Sequence, residues 1–244
     1  MLKNQHISIV VPIKNEAENI QKLTREINKA CNKIKFEILF VNDGSKDNSI
    51  NILKILKNEN RNLRILNHNS SKGQSAALKT GIHNSRYEII VTLDGDCQND
   101  PKDIPAMLEK FISHRENNLL MIGGVRVNRK DNLGKKIASK FGKFFRKHLL
   151  NDNHPDTGCG IKVFHKKLYL LLPYFDHMHR FFPALATREG ALVLQHDVNH
   201  RPRSKGRSNY TNLGRLFVSI FDIVGMIWLL KRYPKNLKIN EIKK

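Results

Sequence analysis

Asp94 and Asp96 flank a single glycine at the end of the apolar run Ile89-Ile-Val-Thr-Leu93, and Gln98, Asn99 and Asp100 follow at once. Two carboxylates this close repel each other and resist desolvation, so they call for open solvent or a cation. Mg2+ or Mn2+ typically takes one or two carboxylates and completes its octahedron with water and phosphate oxygens. Gly95 would let a bulky ligand approach the backbone. Asp-Gly is also a strong turn dipeptide, so the segment in isolation reads first as a hairpin turn. Its position after an apolar strand favours the ligand, because open α/β sheets bind ligands beyond the carboxyl ends of their strands.

Two further strand ends carry polar residues. Phe36-Glu-Ile-Leu-Phe-Val41 runs into Asn42-Asp43-Gly44-Ser45-Lys46-Asp47, where Asp43 is placed to accept hydrogen bonds from a base or ribose and Ser45 or Asp47 caps the next helix. Ile7-Ser-Ile-Val-Val-Pro12 runs into Ile13-Lys14-Asn15-Glu16, with Pro12 tolerable only where a ladder is finishing. Convergence of such residues on one rim is the physical argument for a nucleotide site.

The elements that must position them alternate. Strands are expected near 7–12, 36–41, 63–67, 87–93 and 119–125, and helices near 16–33, 47–59, 73–84 and 102–115. This alternation predicts βαβ units on a mostly parallel sheet with helices on both faces. Residues 160–197 predict a further stretch of the same kind, with strands at Ile161–Phe164 and Leu192–Val198 around a helix near 178–190.

Four ordered segments then acquire a family likeness: Val10-Val-Pro12-Ile-Lys-Asn15-Glu16, Val41-Asn-Asp43-Gly-Ser-Lys-Asp47, Ser71-Lys72-Gly73-Gln-Ser-Ala-Ala-Leu-Lys-Thr-Gly81 and Leu93-Asp94-Gly-Asp96-Cys-Gln98. Together they resemble the successive motifs of family 2 glycosyltransferases of GT-A fold, and most of all the subgroup acting on dolichyl and polyprenyl phosphates. The resemblance spans about residues 6–210. It implies that Pro12, Asn15, Glu16 and Asp43 line the nucleoside pocket together with Lys72. It further implies that Asp94 sits near ribose and the metal, and that Asp96 with Gln98 holds a metal-bound diphosphate. Basic residues of such enzymes bind the diphosphate and an acceptor phosphate, which maps onto Arg126 and Arg203. Where the subgroup usually ends Ser-Lys, this chain reads Ser208-Asn209.

Asp156-Thr157-Gly158-Cys159-Gly160 resembles the acceptor loop of the same subgroup. A sugar hydroxyl as acceptor would need a base such as Asp156 to remove its proton, whereas a lipid phosphate is already ionised. Asp156 also reads simply as a residue shaping a glycine-rich turn. Asp176, His177 and His179 make a poor zinc set, since an HxH pair without further spaced ligands is weak evidence for the metal; an acceptor-side loop or helix start is expected there.

Charge frames the partners. The 244 residues carry 43 Lys+Arg against 22 Asp+Glu, a formal net charge of +21, so anionic partners are favoured. Nucleic acid is the rival reading, but the chain has neither a helix-turn-helix pattern nor aromatic residues interleaved with basic ones on a recognised platform. Cys31, Cys97 and Cys159 form no CxxC or Cys/His cluster and suit a reduced compartment. No signal region opens the sequence.

From 126 to 150, basic residues interleave with Ile137, Phe141, Phe144, Phe145 and Leu149, which predicts a basic amphipathic helix. The apolar run Leu216–Leu230 is short of the roughly 20 residues that span a bilayer. It reads as a core helix, an interfacial helix or a truncated span; Asp222 opposes a span, while Trp228, Lys231 and Arg232 suit an interface. The expected organisation is a GT-A catalytic domain over 1–210 and a membrane-interfacial tail over 211–244. The expected function is inverting transfer from a nucleotide sugar to a polyprenyl phosphate with Mg2+ or Mn2+. It would take place peripherally on the cytoplasmic side of the membrane, against anionic lipid and with room for a membrane-protein partner. A saccharide acceptor is the alternative.

Overall fold

The computed structural model describes residues 2–127, 150, 154–202 and 212–232, the last segment by its side chains only from 221 onward. The expected basic helix therefore lies, over 128–149, outside the described residues, and so does Arg203.

Strand β1 (His6–Ile13), helix α1 (Ala17–Ala30), β2 (Lys35–Asp43), α2 (Ser49–Glu59), β3 (Leu63–His68), α3 (Gln74–His83) and β4 (Ile89–Thr92) follow the alternation expected from the sequence. A 3-10 turn at Pro101–Asp103 opens α4 (Ile104–Ser113), and β5 (Leu120–Arg126) comes next. After the loop at 154–161 come β6 (Lys162–His165), α5 (Lys166–Leu171), a 3-10 turn (Met178–Phe181), α6 (Phe182–Arg188), β7 (Leu192–Val198) and α7 (Asn212–Lys231).

The strands form one sheet of seven in the order β3-β2-β1-β4-β6-β5-β7. Every pairing is parallel except those of β6, which runs antiparallel to both β4 and β5. The reversal matters for function. The carboxyl ends of β1, β2, β4 and β5 share one rim, and the amino end of β6 joins them there, bringing residues 156–160 to the same edge.

Side chains alternate across the strands. Ile9, Val11, Ile38, Phe40, Val91 and Val163 pack with Ile20, Leu23, Leu53 and Phe111 of α1, α2 and α4. Val10, Val41, Ile90, Met121 and Phe164 pack with Ala77, Ile82, Leu168 and Leu185 of α3, α5 and α6. Strands covered on both faces must be apolar nearly throughout, which is why β1 and β2 read as continuous hydrophobic runs. Burying each such Phe, Ile or Leu contributes about 1.5–3 kcal/mol.

At the opposite rim, Glu37 near the start of β2 is a structural acid. It accepts from Ser8 Oγ at 2.6 Å, Arg64 Nη1 at 2.7 Å and the Arg86 amide at 2.6 Å.

Helix α7 has two faces. Met226 is buried in the cluster of α3 and α6, with Ile223, Ile227 and Leu230 partly buried against it, while Phe221, Val224 and Trp228 stand 75%, 61% and 60% exposed. No described helix is long and apolar enough to cross a membrane.

Candidate functional site

The rim is organised by the loop that follows β3. Asp43, at the end of β2, accepts from the Lys72 amide at 2.8 Å, the Gly73 amide at 2.9 Å, Ser71 Oγ at 2.7 Å and His68 Nδ1 at 2.8 Å. A carboxylate offers about four lone-pair sites, and all are taken by the protein. Asp43 thus holds residues 71–73 in place, where the sequence alone suggested a direct acceptor for base or ribose. Gly44, beside it at φ +63°, sits against the Ser71 amide, where a side chain would collide.

Burial pushes the Asp43 carboxyl up, but the hydrogen bonds from Lys72, Ser71, His68 and Gly73 outweigh it and leave the pKa below the ordinary value. A carboxyl so depressed stabilises the fold above its unfolded pKa of about 3.9 and loses that contribution as pH falls through the lower folded value. Asp43→Asn is therefore expected to cost about 2 kcal/mol at pH 7, the scale of one charge-assisted hydrogen bond. The deficit should shrink below about pH 4, where the wild-type carboxyl is protonated in the unfolded chain. Urea unfolding at pH 7 and pH 3 checks this; an equal deficit at both values would contradict it.

The loops after β1 and β2 are tied to each other. The Asn15 amide donates to Ser45 Oγ at 2.9 Å, the Lys46 amide donates to Asn15 Oδ1 at 2.8 Å, and the Glu16 amide donates to Ser49 Oγ at 3.1 Å. Asn15 adopts φ 56°, a left-handed conformation that Asn tolerates better than most residues. Asp47 closes two helix starts, accepting from the Ser49 amide at 3.0 Å and from the Ala17 amide at 3.1 Å. Ser45 or Asp47 was expected to cap α2; the N-cap position belongs to Asn48, and Asp47 beside it takes up a first-turn amide of each helix. Pro12 lies past Val10↔Thr92, the last pair of β1 with β4, so its missing N–H costs that ladder nothing. Lys72 is exposed, its amide engaged by Asp43.

Asp94 and Asp96 stand just past the end of β4. Asp94 accepts from Gln74 Nε2 at 2.9 Å, and Asp96 Oδ1 accepts from the Gln98 amide at 3.1 Å. Cys97 between them and Gln98 takes φ 60°, which bends the segment back under the rim. The Asp94 carboxyl is pushed up to about 6, first by burial and then by the Asp96 charge, against the pull of Lys162, Arg126 and Gln74. A cation between the two carboxylates would relieve that repulsion. Among the described residues no group of three His, Cys, Asp or Glu gathers as a self-sufficient cage, and such a pair fits Mg2+ or Mn2+ only where phosphate and water complete the shell.

Across the rim, Arg126 at the end of β5 pairs with Asp156. Nε donates to Oδ2 and Nη2 to Oδ1, both at 2.7 Å, and the Arg126 amide adds a third bond at 3.1 Å. Asp156 is 9% exposed. The pair secures the loop around Asp156 to β5. Gly160 has no room for a side chain, because a Cβ there would overlap the Asp94 carboxylate; close approach of the two loops requires this glycine.

Beyond β7, Arg201 forks onto Glu26 of α1 at 2.9 and 2.8 Å and donates to the Asn99 carbonyl at 2.9 Å. Gln98 Nε2 approaches the Arg201 carbonyl at 3.5 Å. Arg201 is thus fastened to Gln98 and Asn99, just past the Asp94-Gly95-Asp96 turn. His177 precedes the 3-10 turn Met178–Phe181 and His179 lies within it, with His179 Nδ1 2.8 Å from Ser75 Oγ; the helix start expected here is this turn. Sequence reading missed Gln74, although it stands inside a quoted motif, and Lys162, a lysine at the head of an apolar strand.

The fold is that of GT-A glycosyltransferases. A glucosyl-3-phosphoglycerate synthase from Mycobacterium tuberculosis, solved with Mn2+, UDP and phosphoglyceric acid, superposes with a TM-score of 0.68 at 14% identity, over 96% of this chain and 81% of that one. A mannosyl-3-phosphoglycerate synthase from Rubrobacter xylanophilus gives 0.69 at 12% identity, over 98% and 79%. Residues 8–171 match Glycosyl transferase family 2, and the chain belongs to that family. A dodecaprenyl-phosphate galacturonate synthase of Rhizobium johnstonii is 32% identical over 236 residues, 94% of this chain and 69% of the relative.

Proposed function

We propose that the protein transfers one sugar from a nucleotide-diphosphate donor to a polyprenyl phosphate, with inversion at the anomeric carbon, on the cytoplasmic face of a membrane. The reading is carried by a rim that sets the carboxylate pair Asp94 and Asp96 beside Arg126 at the end of β5, which Asp156 holds in place. The rhizobial relative, named for dodecaprenyl phosphate and galacturonate, supports the acceptor class.

In this reading Pro12, Asn15, Glu16 and Lys72 border the nucleoside, with Asp43 fixing their loop. Asp96 and Gln98, with Asp94, hold a Mg2+ or Mn2+ ion. Held there, such an ion would supply positive charge for the leaving diphosphate. Arg126 and Arg203 orient the acceptor phosphate for attack from the face opposite the diphosphate. No base is required, because the attacking oxygen is already anionic. Incubation with membranes and labelled nucleotide sugars, followed by solvent extraction, tests this. Label in lipid-linked product is expected; label confined to polysaccharide would replace the lipid acceptor by a glycan.

Residues 211–244 form the membrane-facing tail in this proposal. Phe221, Val224 and Trp228 recur at helical spacing along one exposed stripe of α7, with the Arg232 guanidinium 5.8 Å from the Trp228 ring. Such a stripe beside cations suits the boundary of an anionic bilayer. The double variant Phe221→Ser, Trp228→Ser is expected to weaken co-sedimentation with anionic vesicles about tenfold or more, from lost apolar burial. It leaves the inward residues Met226 and Ile227 in place. Unaltered vesicle binding would remove α7 from the interface.

A further inference from the structure

A cavity of about 200 Å3 opens beside Asp94 on the α3 side of the sheet, lined by Gln74, Thr92, Thr157, Gly160, Lys162 and Arg180 among others. Pockets for drug-sized ligands run to about 300–1,000 Å3, so this one suits a single pyranose and not a nucleotide. Its floor is apolar, formed by Leu78, Ile82, Tyr169 and Phe182.

Lys162 is the first residue of β6, paired with Thr92 at the end of β4, and is 6% exposed. Among the described residues its ammonium donates to one acceptor, the carbonyl oxygen of Cys159. An ammonium carries three donors, and a buried cation without an ion partner is costly. The neighbouring carboxylates are engaged elsewhere, Asp94 by Gln74 and Asp156 by Arg126. Both act on Lys162 only through their fields. His179, bonded to Ser75, adds no negative charge: burial and the charges of Lys162, Arg180 and His177 drive its pKa down to about 3, leaving a neutral ring. The cavity therefore presents a buried amine with spare donors, its ionisation opposed by burial and favoured by any anion that enters, with Asp94 of the anionic turn in the same lining.

We infer that Lys162 receives a carboxylate carried by the donor's sugar ring, which makes the donor a nucleotide-linked hexuronic acid. The inference rests on the nucleotide-sugar reading of the same rim. A neutral hydroxymethyl group in that position would leave the ammonium uncompensated. The leaving diphosphate belongs at Asp96, which is not among the cavity's lining residues, and a cavity of about 200 Å3 has no room for a polyprenyl chain.

The test uses the full chain with Mn2+ and three probes: UDP-galacturonic acid, UDP-galactose and UDP. Wild-type protein is expected to favour the uronate over the neutral sugar about 100-fold in kcat/KM, the scale set by leaving a buried charge unpaired. Lys162→Met should reduce that preference to about fivefold or less, and Lys162→Arg should restore part of it. Equal use of both sugars by the wild type overturns the inference, and that comparison stands even where a variant fails to fold. Loss of UDP binding as large as the loss of UDP-galacturonic acid binding in Lys162→Met also overturns it, assigning the lysine to the diphosphate. Uronate preference in thermal stabilisation, with no lipid-linked product from either sugar, keeps the inference and refutes the polyprenyl-phosphate acceptor instead.

Discussion

Asp96→Asn is expected to lower metal-dependent turnover by about 1,000-fold, equivalent to about 4 kcal/mol of transition-state stabilisation. The substitution is nearly isosteric, and an Asn Oδ1 can still accept from the Gln98 amide that Asp96 Oδ1 now accepts at 3.1 Å. What disappears is charge. The Asp94–Asp96 repulsion that helps raise the Asp94 carboxyl to about 6 would be relieved, so the folded protein should be no less stable while its cation site is weakened. Turnover measured across a Mg2+ or Mn2+ titration, with thermal unfolding as the control, separates the two effects. Undiminished turnover at saturating metal would strip Asp96 of the role.

The residues that made this site legible in the sequence are those that end strands. An apolar run that stops at Asp94, at Asp43 or at Pro12-Ile-Lys-Asn15 announces both a strand and its rim, because a strand covered on both faces has no other place for polar groups. Helix starts were legible for a similar reason: Asp47 and Pro101 are types that suit the unsatisfied amides of a first turn. Direction was not legible. Ile161–Phe164 reads as a strand, but periodicity carries no sign, so the antiparallel entry of β6 that delivers Lys162 to the rim emerges only from its pairing with β4 and β5.

Partnership was hidden too. Asp43 looks like a free acceptor until loop 71–73 closes on it from 28 to 30 residues away. Lys162 looks like the polar edge of a strand until its neighbours prove to be Asp94, Cys159 and Asp156. The apolar run of α7 reads in sequence as a core helix, an interfacial helix or a truncated span, and the fold shows that one face of it is core. With 3.6 residues per turn, Met226 and Ile227 face inward while Phe221, Val224 and Trp228 face out.

Asp156 draws together the acceptor loop and the question of a base. Its two oxygens are occupied by Arg126 Nε, Nη2 and amide, and a carboxylate so engaged has little freedom to collect a proton from an incoming hydroxyl. Asp156→Ala is expected to destabilise the fold by about 3–5 kcal/mol, since it leaves the half-buried guanidinium without its partner. Asp156→Asn is the sharper probe. An amide can still accept one bond from Arg126 but loses the bidentate charge-assisted pair, so the guanidinium swings and the acceptor phosphate is misplaced. KM for the polyprenyl phosphate should then rise about 10- to 100-fold with a smaller fall in kcat, the pattern expected of a positioning residue. A general base would behave otherwise: kcat would drop by about 100- to 10,000-fold at unchanged KM, and the acidic limb of the pH–rate profile would vanish. That outcome would convert Asp156 into the proton acceptor and the substrate into a sugar hydroxyl, so one substitution reads out both the role of the residue and the chemistry of the acceptor.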